Sequence, residues 1–387
     1  MASMEQLNDD VTKNILSRLK LEALIRCKSV SKKWKGLVTE VVESRGEKMH
    51  GLIVENYSLA FPGVFLPEYR YESQDSGVFN LDSALDSIHT RGFFCIRDSS
   101  DGLLLCSRTH LNPRKDSVMS YFVLNPVTGT RVAVPEAPPM KYSDHRDVLA
   151  FDPSSSFFKI VRWSRGSAKS FSEVDFYGSR TGTWSRRRKV AHSREVTFPD
   201  SRVSATSTVY VNGVVFRVAD PNALVAIDVS GVVSCDDQID PPARVITVPC
   251  LDKTTHRCLG KWQQGKALCY IDYNKTRIKL WVLEEEGVNG GAKEKWVLKQ
   301  AIRMESLTTT TTTTMMSSGS SFRPVAMHSG KEELVLEVQQ GIVCYNLKKS
   351  RLEGSYPVLQ LKRGYFRSVT VFPFSATFHR PQTAVDP

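Results

Sequence analysis

Beyond residue 50 the chain is written in a repeating unit, and that repetition constrains the fold more than any other feature. Short runs rich in Val, Ile, Leu, Phe and Tyr, bounded by turn residues, come in pairs. GFFCIRDSSDGLLLCSR precedes YFVLNPVTGTRVAVP, DVLAFDPSSSFFKIVRW precedes SEVDFYGSRTGTWSRR, and STVYVNGVVFRV precedes ALVAIDVSGVV. Further on, KALCYIDYN precedes RIKLWVLEEE, and EELVLEVQQ precedes GIVCYNLKKSRLEGSYPV. The second member of several pairs ends in Asn or Asp followed by a Thr-Gly, Ser-Gly or Lys-Ser turn, as at Asn125 to Gly129, Asp228 to Gly231 and Asn346 to Ser350. A recurring unit of about 45 to 65 residues with four strands is the sequence sign of a β-propeller blade. Units begin near residues 92, 146, 205, 255 and 322. A sixth would combine Arg367 to Phe378 with strands from Gly51 to Tyr71, so that both ends of the chain close the ring and no sheet edge stays exposed. The same strands could instead build a pair of β-sandwiches. The expectation for residues 49–387 is a propeller-like domain of six blades, with mobile loops near 287–291 and 305–321, where Gly and Thr runs interrupt the pattern.

Residues 1–48 read differently, so the whole is a multidomain α plus all-β chain. Asn8 can cap a helix whose first turn holds Asp9 and Asp10, and Val11, Ile15, Leu16 and Leu19 fall on one stripe. A second short helix is expected over Glu22 to Lys28, with Leu24, Ile25 and Cys27 apolar. A third starts near Ser31, a plausible cap, and carries Trp34, Leu37, Val38, Val41 and Val42 at helical spacing. Three short helices in about 40 residues make too thin a core to stand alone, so they either pack on the rest of the chain or present a protein-binding face.

The order of these residues resembles the F-box. The resemblance rests on Leu7, Asp9 and Asp10 opening the first helix, on Ile15-Leu16-Ser17-Arg18-Leu19, on Leu24, Arg26 and Cys27, and on Val30-Ser31-Lys32-Lys33-Trp34 leading to Leu37 and Val38. It implies binding to the Skp1 adaptor of cullin-based ubiquitin ligases through Leu7, Asn8, Val11, Ile15, Leu16, Leu19, Leu24, Ile25, Val30, Ser31, Trp34 and Leu37. Asn8 and Lys20 stand where the family usually has proline; Asn8 keeps the helix start by capping, whereas Lys20 puts a charge where an apolar contact is usual. The phrases GLLLC, YFVLNPVTGTRVAVP, YVNGVVFRV, VAIDVSG, IKLWVLEEE and GIVCYNL resemble, in the same order, the F-box-associated domain of the large plant F-box family. That likeness implies a domain that recognises proteins destined for ubiquitination. Arg217 departs from it, standing where an aromatic is common.

Enzymatic constellations were sought and none is found at recognisable spacing: no G-x-S-x-G, no P-loop, no G-x-G-x-x-G after a strand, no H-E-x-x-H. Eight scattered cysteines without C-x-x-C read as reduced core residues, and no zinc spacing occurs. No cofactor and no metal are expected. Glu284 to Glu286 read as a solvated hairpin end, Asp236 and Asp237 as a polar loop, and Trp163, Trp184, Trp262, Trp281 and Trp296 as inter-strand packing. The formal charge of +11 leaves a nucleic-acid reading open, but its densest run, Arg186 to Lys189, reads as a solvated turn. The N-terminus is polar and acidic, and no run approaches the ~20 apolar residues of a membrane span, so a soluble protein of the cytoplasm or nucleus, without membrane partners, is expected. The alternatives are a propeller enzyme or a basic nucleic-acid binder with a helical arm.

Overall fold

The computed structural model describes residues 8–19, 23–24, 27–45, 49–56, 64–67, 94–110, 118–126, 130–139, 145–166, 168–185, 187–198, 207–220, 222–231, 242–249, 256–263, 265–288, 291–309, 322–328, 330–338, 341–357, 369–376 and 381–383. Helix α1 spans Asp9–Leu16, and Asn8 caps it by accepting the Asp10 N–H on its side-chain oxygen at 3.2 Å. Helix α2 spans Lys32–Arg45, and the Ser31 hydroxyl accepts the Trp34 N–H at 3.2 Å, the capping bond its position predicts. Between them Ala23 and Leu24 are helical, within the span expected for a second helix, and Cys27–Ser29 form a 3₁₀ turn closed by the Val30 N–H on the Cys27 carbonyl; 20–22 and 25–26 lie outside the described residues. A further α-helix, α3 (Met304–Thr309), lies far along the chain.

The strands form sheets arranged as blades. A first pair, β1 (Met49–Asn56) and β2 (Val64–Pro67), belongs to a sheet completed from the other end of the chain. Blade 1 holds β3 (Phe94–Ser100), β4 (Leu103–His110), β5 (Val118–Asn125) and β6 (Thr130–Val134). Blade 2 holds β7 (His145–Phe151), β8 (Phe158–Arg165) and β9 (Phe171–Gly178), with β10 (Thr183–Trp184) and β11 (Arg188–Ala191) both on the outer edge of β9. Blade 3 holds β12 (Thr208–Val211), β13 (Val214–Ala219), β14 (Ala223–Asp228) and β15 (Ala243–Thr247). Blade 4 holds β16 (His256–Trp262), β17 (Ala267–Tyr273), β18 (Arg277–Val288) and β19 (Gly291–Arg303). Blade 5 holds β20 (Arg323–His328), β21 (Glu333–Val338), β22 (Gly341–Asn346) and β23 (Arg351–Pro357). All neighbours within a blade run antiparallel, in sequence order from the inside out.

The expected six blades are therefore corrected to five. The sixth place is filled by a three-stranded sheet, in the order β2, β1, β24, where β24 is Val369–Ala376 and pairs with β1 from Met49↔Ala376 to Asn56↔Val369. The innermost strands β3, β7, β12, β16, β20 and β24 each adjoin the next, and β24 adjoins β3, which closes the ring. Helical side chains cover apolar surface beside this short sheet: Leu16, Leu24, Leu37, Val38, Val41 and Val42 join one core with Ile53, Phe372 and Phe374 of the closing sheet and Ile96, Leu104 and Phe122 of blade 1.

Strand alternation explains why the apolar runs are nearly continuous. In β4, Leu103 and Leu105 face blade 2, whereas Leu104 and Cys106 face the closing sheet and helices. In β14, Val225 and Ile227 pack toward blade 2, while Leu224 and Ala226 pack toward blade 4. A strand with both faces buried carries no polar side to break the run. The turns follow equally local chemistry: Asp101-Gly102 and Asn212-Gly213 both take positive φ, the Asp-Gly and Asn-Gly hairpin signature.

Two expected loops turn out otherwise. β18 continues to Val288 and β19 resumes at Gly291, with Val288 paired to Gly291, while 289–290 lie outside the described residues; Glu284 pairs with Lys299 at 2.6 Å. Residues 304–309 are helical because Leu307 is buried between blades 4 and 5; 310–321 lie outside the described residues, as do Asp236 and Asp237. The tryptophans do pack. Trp163 is buried between blades 2 and 3, and Trp184 and Trp296 each donate from the indole N–H to a carbonyl of the preceding blade, Pro135 and Thr247, both at 2.9 Å. Among the described residues, no helix is long and apolar enough to cross a membrane.

Candidate functional site

The helical face separates into two stripes. Leu16, Leu24 and Leu37, expected on a partner-binding surface, are buried in the chain's own core. Leu19 and Trp34 are half-buried against that same core. Val11, Ile15 and Val30, in contrast, stand 46%, 48% and 62% exposed, an unusual position for large apolar side chains. Val11 and Ile15 are one helical turn apart in α1 and so share a face. Asn8 and Ser31 are exposed capping residues, and Leu7 and Ile25 lie outside the described residues. Ion pairs from Lys13 to Glu40, 2.5 Å, and from Lys33 to Asp9, 2.7 Å, brace α1 against α2 and hold this face in register. Arg18, Lys32 and Lys35 are exposed, as a solvated helix surface requires.

Charge inside the propeller is concentrated between blades 1 and 2, where sequence reasoning had not placed it. The buried Asp147 carboxylate lies 3.5 Å from His145 and 3.6 Å from Arg97. Fully buried Asp175 receives two hydrogen bonds from Arg187, both 3.0 Å, and lies 3.7 Å from buried Arg162. Burial alone would raise the Asp147 pKa, but the nearby His145 side chain and the guanidinium groups of Arg97 and Arg162 outweigh it and bring the value down to about 2. A carboxylate held so firmly ionised is a poor proton acceptor near neutral pH. The basic run is likewise consumed by structure: Arg187 serves Asp175 and the Pro139 carbonyl, and Arg188 is buried in β11 over the Phe176 ring. This corrects the solvated-turn expectation for those two residues; Arg186 lies outside the described ones. The one available signal was an aspartate in the middle of an apolar strand, EVDFYG.

Arg217, the departure noted in sequence, is buried as well. It donates to the Trp163 carbonyl at 3.1 Å and lies 4.3 Å over the Phe198 ring, so hydrogen bonding and a cation–π contact hold the buried guanidinium. Among the described residues, no group of three or more His, Cys, Asp or Glu could hold a metal ion.

An amphipathic helical pair with an outward apolar face, joined to a propeller, defines the class of a two-part binding protein. Comparison with known families places it further. The F-box domain model matches residues 4–43, and a model described as F-box protein At3g26010-like, beta-propeller, matches residues 81–357. The chain belongs to this family of F-box proteins with a β-propeller. It is similar to F-box protein At5g07610 of Arabidopsis thaliana, 31% identical over 231 residues, covering 54% of this chain and 50% of that one. It is also similar to At2g43440 of the same plant, 27% identical, covering 54% of this chain and 47% of that one, and to At3g57590, 24% identical, covering 76% and 71%. The chain thus spans about half the length of the first two of these curated relatives. A solved prolyl endopeptidase structure aligns at a TM-score of 0.36 and 11% identity, covering 93% of this chain and 54% of that one, too distant to bear on fold or activity.

Proposed function

We propose that this protein is a non-catalytic substrate receptor of a Skp1–cullin–F-box ubiquitin ligase. The helical domain holds a Skp1-type adaptor, and the propeller holds the protein to be ubiquitinated. Its contribution to the reaction is proximity, since it holds a target lysine near a ubiquitin activated elsewhere in the assembly. The observation that carries this reading is the outward display of Val11, Ile15 and Val30 in a segment matched to the F-box, while their neighbours Leu16, Leu24 and Leu37 anchor it to the ring. The adaptor contact is accordingly assigned to Val11, Ile15 and Val30, with the accessible edges of Leu19 and Trp34. Such a ligase subunit would work in the cytoplasm or nucleus.

The test is co-purification of the full chain with a Skp1-type adaptor. Ile15→Asp is expected to abolish the complex without changing the melting temperature. Retention of the complex by that variant overturns the assignment.

A further inference from the structure

One face of the ring carries a cleft of about 640 Å³, within the size range of ligand sites. Its rim is made by the hairpins that join the first two strands of blades 1 to 4, and by the turns after the third strands of blades 2 and 3. Asp101, Ser156, Asn212 and Gln263 all hold positive φ in those rim hairpins. Residues committed to such conformations give the rim a fixed shape.

The cleft carries twice as many cations as carboxylates: Lys159, Arg180, Lys261 and Lys266 against Asp101 and Asp152. Lys261 is occupied, because it reaches across the mouth from blade 4 to the Ser100 hydroxyl at 3.2 Å and the Asp101 carboxylate at 3.4 Å of blade 1. Lys159 is half-buried, and its ammonium is held at 2.7 and 3.3 Å by the Val229 and Ser230 carbonyls. Burial pushes its pKa down, the Asp228 carboxylate opposes the shift, and the like charge of Arg180 adds to it. Arg180 is exposed, with its guanidinium 4.8 Å over the Phe157 ring, and Lys266 is exposed on the opposite rim, where the Asn212 amide donates to its carbonyl at 2.6 Å. Phe157 and Tyr210 supply apolar wall between these charges.

We propose that this cleft docks an acidic segment of a protein. Carboxylate side chains would lie between Arg180, Lys159 and Lys266, and an apolar side chain beside Phe157 and Tyr210. The inference rests on the reading of the propeller as the target-binding half, and it names the chemistry of that target. Two opposed exposed cations with a flat apolar wall between them suit an extended peptide, whose side chains alternate, and fixed positive charge selects acidic partners by complementarity.

The test is selection of a random 12-residue peptide library on the full chain alone, with binding of a Skp1-type adaptor measured in a separate assay. Fluorescence anisotropy then follows on the best peptide and on its Asp→Asn, Glu→Gln isostere. The expected result is enrichment of Asp and Glu, at least tenfold weaker binding of the isostere, and at least tenfold loss in Arg180→Glu with Lys266→Glu. Both residues are exposed, so that variant should keep its melting temperature and adaptor binding; Arg180→Ala with Lys266→Ala gives a milder loss in the same direction. The inference is overturned if no peptide is selected, if the selected set is neutral or basic, or if charge reversal leaves affinity unchanged. It is also overturned if inorganic phosphate or a 12-nucleotide RNA displaces the peptide at equal concentration. Failure of wild-type adaptor binding, read separately, would instead strike the ligase reading and leave the peptide result standing.

Discussion

Asp175 holds two arginines at once, the bidentate Arg187 and the buried Arg162, and it does so with no exposure of its own. Asp175→Ala would leave a buried guanidinium without its carboxylate, a change that costs about 3–5 kcal/mol. Urea unfolding at neutral pH should show a loss of that size; a loss below about 1 kcal/mol would mean that Arg162 is satisfied elsewhere. Asp147 gives a pH signature. Its folded pKa, about 2, lies below the ordinary aspartate value, so its contribution is present above about pH 4 and is lost as pH falls toward 2. Relative to Asp147→Asn, the native protein should therefore be more stable by about 2 kcal/mol near neutrality, and the difference should shrink across that acid range. A pH-independent difference would show that Asp147 is not ionised in the fold. At this scale the sequence was a poor guide. Arg187, Arg188 and Asp175 sit in ordinary-looking strand text, and only the pairing of β8 and β11 with β9 brings the charges of Arg162, Arg187 and Asp175 together.

Within single elements the sequence said more, and its one systematic error is instructive. Apolar periodicity located α1 and α2, but the core stripe and the outward stripe of α1 touch each other at Ile15 and Leu16, and periodicity cannot say which of two adjacent apolar faces is covered. The ring decides it, since Leu16 joins one buried core with Ile53, Phe372 and Phe374. Leu16→Ala should thus act as a core truncation and lower stability by about 2–5 kcal/mol in thermal or chemical unfolding. A neutral result would place Leu16 on a free surface. Strand β16 carries a different constraint. A Cβ at Gly260 would lie 2.5 Å from the Met327 Cβ of β20, so these two inner strands approach more closely than any other residue allows. Gly260→Ala should lower the melting temperature, by an amount set by how far blades 4 and 5 must part. A melting temperature at or above the native one would deny the close approach.

For the molecule as a whole, the blade starts were legible to within a few residues because each blade begins with a strand, a tight turn and a second strand, all local features. Closure by the two chain ends was also legible, since an open ring would leave a bare edge. The number of blades was not, because a three-stranded closing sheet and a four-stranded blade leave the same fragments of apolar text. The helices are anchored on this closed ring by one stripe and keep the other outward, and the ring opens its cationic cleft to solvent, so the proposed adaptor contact and the proposed target contact lie on separate parts of one chain. The adaptor grip is the central claim, and titration calorimetry of the full chain against a purified Skp1-type adaptor tests it most directly. The native protein should bind with one-to-one stoichiometry, and Ile15→Asp, with an unchanged melting temperature, should bind at least tenfold more weakly. No binding by the native protein, or equal binding by a folded Ile15→Asp, would contradict the account.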